Sequence, residues 1–387
     1  MPQSRLGNCK GTRDGLAVGF YAMLPTKAPT DPTMPQFLLY FRTLTIGALG
    51  GLVGYLFHFP LGWLVGAMLS TIPCAMAGVR VPTHWGLRSM MIGTIGLMAG
   101  AAFTPDVVSR AGEWAFSLAG VAVYCVIITA IGLFICLKVG RLDRATAAFS
   151  AAPGGLSEIL VLGPSYGADV RSLSLVHGMR LTVILVIVPF VIVWVGTGNG
   201  PTQMNRTLDL SLAMPLKDYA ILGACLIVGV IGGKKIRLPG SHLTGPLILS
   251  AIVHYFGLTH SSPPQLIVVV AQIVIGTSVA QFFNNTTLRQ VLGGLVVGGG
   301  LTVVNLGVAA LFALAFQTWL GIPFAAGLIA LVPGGLPEMS LISIALGLDA
   351  AFVSLHHLFR VVLVLVFLPL LVPLWISKPG SSIETKS

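Results

Sequence analysis

Residues 153–158 read Pro-Gly-Gly-Leu-Ser-Glu, and residues 333–338 read Pro-Gly-Gly-Leu-Pro-Glu. Both stretches lie inside apolar sequence, at an offset of 333 − 153 = 180. Proline removes an amide donor and consecutive glycines favour turns, so each stretch predicts a helix that stops and restarts. The likeness extends outward. Residues 153–189 align without gaps on 333–369 with 14 of 37 positions identical, including Gly167/Gly347, Asp169/Asp349, Ser174/Ser354, His177/His357, Arg180/Arg360 and Pro189/Pro369. Shared apolarity does not produce matched Glu, Asp, His and Arg, so one unit is read as duplicated.

Upstream the match weakens but continues through Gly54/Gly233, Pro60/Pro239, Leu64/Leu243, Gly66/Gly245, Ile95/Ile275 and Phe103/Phe283. The expected organisation is an N-terminal tail over 1–36, a membrane repeat over 37–197, a polar linker over 198–217, a second repeat over 218–377 and a C-terminal tail over 378–387. The tail is rich in Pro, Gly, Thr and basic residues and lacks the apolar core of a signal peptide. Met34, directly before the first apolar run, marks an alternative start.

Of the 387 residues, 55% are hydrophobic and only 9% charged, far below the roughly 25% charged content of soluble domains. Apolar runs long enough for a bilayer, about 20 residues each, recur from Phe37 almost to the end. No separate DNA-binding or catalytic domain fits, and the chain reads as an all-α membrane protein. The net charge of +10 sits in short loops, the pattern of a multi-pass protein rather than a nucleic-acid binder. Five cysteines without a Cys-x-x-Cys pair give neither a disulfide framework nor a thiolate metal site. Glycine-rich stretches over 47–54 and 293–300 lack the strand, lysine and acid of a nucleotide loop, and read as close helix packing.

In the first repeat five runs are expected to span, roughly 37–57, 60–79, 87–104, 115–137 and 172–197. The broken segment 145–167 either crosses or re-enters, and loop charge bears on the choice. If the broken segments cross, the halves are parallel and 13 bases face the cytoplasm against six outside. If they re-enter, the halves are inverted and the count is 16 against three, with Lys234, Lys235 and Arg237 inside. The rule favours inversion. Opposed breaks would then approach one another near the midplane, where transporters with inverted repeats build their sites.

Glu158 and Glu338 are the two glutamates embedded in apolar sequence, each three residues after Gly-Gly. They fall in the first turn of the restarted helix, where free amides favour an anion or a carboxylate. One reading is a capping carboxylate, the other a proton or cation site. The expected substrate- or ion-binding set is Pro153, Gly154, Gly155, Glu158, His177 and Arg180 with Pro333, Gly334, Gly335, Glu338, His357 and Arg360. Arg180 and Arg360 lie deep in the last span of each unit and need an acceptor, either the matched glutamates or a bound anion. His177 and His357 share their face and could relay protons, or stand as hydrogen-bonded core residues. Asp169 and Asp349 read as N-caps.

The duplicated Pro-Gly-Gly-Leu-x-Glu segment, with Pro60-Leu61-Gly62-Trp63-Leu64-Val65-Gly66-Ala67-Met68 before it, resembles the bacterial AbrB-type membrane protein family over about 37–377. The resemblance implies a duplicated inner-membrane protein with cytoplasmic termini. Members carry labels of ammonia monooxygenase or of regulator of gene expression. A monooxygenase would need metal ligands, and neither Glu-x-x-His nor His-x-x-x-His occurs. The expectation is therefore no enzyme and no cofactor. The leading reading is a secondary transporter of a small anionic solute in the lipid bilayer, coupled to a proton or cation and without nucleic acid as partner. The alternative is a membrane sensor that acts on gene expression indirectly.

Overall fold

The computed structural model describes residues 35–109, 111–196, 212–284 and 286–375. Met34, the N-terminal tail, most of the linker and the C-terminal tail lie outside them. Among the described residues the chain is all helical. Fourteen helices carry the argument. In the first half these are α1 (Gln36–Leu56), α2 (Gly62–Met76), α3 (Trp85–Ala101), α4 (Ala115–Lys138), α5 (Arg144–Ala151), α6 (Leu156–Leu162) and α7 (Val170–Gly196). In the second they are α8 (Leu216–Lys235), α9 (Ser241–Tyr255), α10 (Gln265–Val279), α11 (Leu288–Leu320, with a π turn over Leu295–Gly299), α12 (Phe324–Leu331), α13 (Leu336–Ala345) and α14 (Ala350–Trp375).

Among the described residues seven helices are long and apolar enough to cross a bilayer, and the protein is a multi-pass membrane protein. α1 and α8 expose Phe37, Phe41, Leu49, Ile227, Val228 and Ile231, as lipid-facing helices should. α10 is mostly buried among its neighbours. Two expected spans are shorter than their apolar runs. α2 and α9 hold 15 residues each, about 22 Å of helix against a hydrocarbon core of about 30 Å. Both start from a residue in the left-handed region, Leu61 (φ 53°) and Gly240 (φ 56°), so the preceding turn shortens them. The linker also ends earlier than expected, since α8 begins at Leu216.

Two groups of helices emerge from the packing. α1, α2, α3, α8, α9 and α10 pack on one another, and α4–α7 pack with α11–α14. They meet where α13 and α14 lie on α3, and where α7 lies on the turn Ala280–Phe283 after α10.

Chain direction follows from the close approaches of glycine. A Cβ on Gly93 would meet His242 O and Pro246, one on Gly96 would meet Leu243 O, and one on Gly100 would meet Leu247 O and Ser250. Position rises on both helices together, so α3 and α9 run parallel. Ser250 Oγ donates to Leu97 O at 2.7 Å in the same register. Parallel directions need an odd number of crossings between them, which holds when α5 and α6 form a hairpin and only α4, α7 and α8 cross. The ends of that segment do meet, because the Asp169 amide donates to Thr146 Oγ1 at 2.8 Å and the rings of Phe149 and Tyr166 lie tilted with centroids 5.5 Å apart. The glycine-rich stretches serve packing: Gly54 abuts Gly62, and Gly298 abuts Val176 O and Met179 of α7.

Candidate functional site

α5 and α12 are eight residues each and end at their breaks with carbonyls that have no helical partner. The sequence pairs of His and Arg supply the donors. His177 Nε2 bonds Phe149 O at 3.0 Å, and Arg180 Nη1 donates to Ala152 O at 3.2 Å. Their mates repeat the contact, His357 Nε2 with Ile329 O at 2.7 Å and Arg360 Nη1 with Leu331 O at 2.9 Å and Val332 O at 2.8 Å. Arg360 Nη2 adds Gly334 O at 3.0 Å and His357 Nδ1 at 2.8 Å. Cations at the C-terminal end of a half-helix also meet the negative end of its dipole.

Of the two acceptors expected for these arginines, the matched glutamates Glu158 and Glu338 are not at hydrogen-bond distance among the described residues. The physical reason is that the broken helix presents its own acceptors nearer to the guanidinium. Arg360 is only 1% exposed, and Arg180 3%. The charge of Arg360 reaches Arg180, and both arginines act on Tyr124. The last helices cross over: α7 touches both α5 and α12, and α14 touches both α12 and α5. Gly154 faces Val364, one turn beyond Arg360. The two breaks thus lie together in the second helix group.

The glutamates sit on the other side of each break. Glu158 Oε2 lies over Gly155, and Glu338 Oε2 over Gly335, each in the space a Cβ would fill. Any side chain there would displace the carboxylate, which explains the second glycine of each pair. Each acid folds back over the start of its own half-helix. Beyond this the two differ. Glu158 is half-buried, and its Oε1 accepts from the Gly240 amide at 3.0 Å, at the start of α9 in the other helix group. Glu338 is 5% exposed, and Arg88 of α3 acts on it electrostatically.

The halves differ in the same sense at the histidines. With Nε2–H on the Ile329 carbonyl, His357 receives Arg360 on Nδ1, so both ring nitrogens are engaged by a neutral imidazole. That leaves it no free nitrogen for proton relay. His177 makes only the carbonyl contact, and its buried Nδ1 has no partner.

Asp169 and Asp349 cap α7 and α14, accepting from the amides of Ser172 and Phe352 at 2.9 Å each. Hydrogen bonds from Ser172 hold the Asp169 carboxyl below the usual carboxylate range. Sequence reading passed over His356, buried and bonded to Ser117 Oγ at 2.8 Å. Its mate at 356 − 180 = 176 is a valine, so the repeat gave no signal. Arg88 was also passed over, since its mate at 88 + 180 = 268 is Val268. Among the described residues no three His, Cys, Asp or Glu side chains come together as metal ligands would.

A membrane protein with paired helix breaks and an acid on each defines a class; the comparisons give the family. The model of the family described as "Transition state regulatory protein AbrB" matches residues 63–376, and the chain belongs to that family. It is 24% identical over 355 residues to "Uncharacterized protein YhjN" of Bacillus subtilis (strain 168), covering 84% of this chain and 90% of that one. It is 23% identical over 313 residues to "Putative regulator AbrB" of Escherichia coli (strain K12), covering 80% and 88%. No solved structure matches the chain.

Proposed function

We propose that this chain is a secondary transporter of a small anionic solute in the bacterial inner membrane, with its site where the two broken hairpins face the six-helix group. The observation that carries the reading is the difference between the two acids. Glu338 is sealed at the seam with α3, while Glu158 is half-exposed and holds the other group through one backbone amide. A pair of like sites, one closed and one accessible, suits alternating access. The parallel course of α3 and α9 supports inverted halves, and so does the loop charge.

In this reading Glu158 and Glu338 take the coupling proton or cation, because an acid at membrane depth is costly unless it serves a pathway. Arg180, Arg360, His177 and His357 hold the half-helices that shape the site. The name "regulator" on a relative is compatible with an effect on gene expression through a solute that is moved. A sensor would bind at the same place without flux.

The test is uptake by proteoliposomes of the purified chain, offered a panel of small carboxylates and inorganic anions. Uptake of at least one anion, abolished in the Glu158→Gln, Glu338→Gln double variant, is the expected outcome. Binding without flux favours the sensor, and unchanged uptake by the double variant removes the acids from the mechanism.

A further inference from the structure

Arg88 stands in the first turn of α3 and faces the seam between the two helix groups. Its Nε donates to Ser278 Oγ, near the end of α10, at 3.1 Å. That bond ties the guanidinium to two helices of the six-helix group. Among the described residues its two terminal nitrogens have no hydrogen-bond partner and no carboxylate at ion-pair distance. Glu338 lies within its field but out of contact, and the Arg88 charge also reaches His242 of α9.

Arg360 shows what a structural arginine looks like in this chain, with both terminal nitrogens bonded to four protein acceptors. Arg88 has none of that. The fold does not require a cation at this place either, because the matched position in α10 is Val268 in an equally regular helix. A half-buried guanidinium with unused donors at the seam calls for an anionic acceptor, and its fork fits two oxygens of a carboxylate or phosphate group.

We propose that Arg88, oriented by Ser278, is the residue that binds the oxyanion group of the solute at the seam. Glu338 then faces a bound anion across the seam, which is where a coupling proton or cation is needed to offset like charges. The inference rests on the transport reading for the solute's movement, but not for its binding.

The experiment is isothermal titration of the full chain in lipid nanodiscs with acetate, succinate and inorganic phosphate, at one ionic strength and with chloride as control. Saturable binding of at least one oxyanion is expected. Arg88→Gln should weaken it about 10-fold to 100-fold, the range for loss of a charged hydrogen-bonded pair. Ser278→Ala should weaken it less, and stands in if Arg88→Gln does not fold. Which anion binds separates a carboxylate from a phosphate site. No saturable binding by the unaltered chain overturns the proposal, and so does an unchanged affinity in both variants. Binding through Arg88 without uptake in liposomes sinks the transport reading alone, whereas uptake that Arg88→Gln leaves unchanged sinks this inference alone.

Discussion

Replacing Arg360 by leucine should destabilise the protein far more than the same change at Arg180, although the two residues are repeat mates. Arg360→Leu removes the donors from the Leu331 and Gly334 carbonyls and from His357 Nδ1, and one of two donors from Val332 O, which keeps the Gly334 amide at 2.8 Å. Each buried acceptor left unsatisfied costs about 1–3 kcal/mol. Relaxation and the removed desolvation of the cation offset part of the sum, which leaves roughly 3–5 kcal/mol. Arg180→Leu frees one identified carbonyl, that of Ala152, for about 1–3 kcal/mol by the same rule. The assay is reversible unfolding by sodium dodecyl sulfate in mixed micelles, followed by far-ultraviolet circular dichroism. Equal losses, or a larger loss at Arg180, would refute the reading of Arg360 as the clamp of a closed hairpin.

Gly96→Ala places a methyl against Leu243 O at the α3–α9 crossing and should cost about 1–3 kcal/mol, while Gly223→Ala on α8, with nothing nearby, should be neutral or gain about 0.5–1 kcal/mol. The same unfolding assay compares them, and a harmless Gly96→Ala contradicts the packing. Asp169 contributes stability that is present above its unfolded pKa of about 4 and is lost as pH falls through its lowered folded value. Asp169→Asn should flatten the acid side of a stability–pH profile slightly, and an unchanged profile would deny the cap a role.

Much of this was legible because the matched stretches 153–189 and 333–369 mark residues twice. The breaks, their acids and the His–Arg pairs recur at one offset, and all of them lie at the two hairpins. The partners of those residues were not legible. Acceptors for His177, Arg180, His357 and Arg360 are chiefly backbone carbonyls, which leave no trace in side-chain identity, so a search for charged partners offered the arginines only the glutamates or a bound anion. Arg88 and His356 escaped for the opposite reason, since each has an apolar mate. The short α2 and α9 were hidden because their apolar runs continue into turns whose left-handed residues, Leu61 and Gly240, are set by the tertiary contact.

Everything proposed about the site depends on two hairpins that enter the membrane from opposite faces. Single cysteines at Ser165 and Ala345, exposed mates near the returning end of each hairpin, test this in a cysteine-free background with a membrane-impermeant maleimide on intact cells. The account predicts that one position labels from outside and the other only after permeabilisation. Labelling of both from the same side would contradict it.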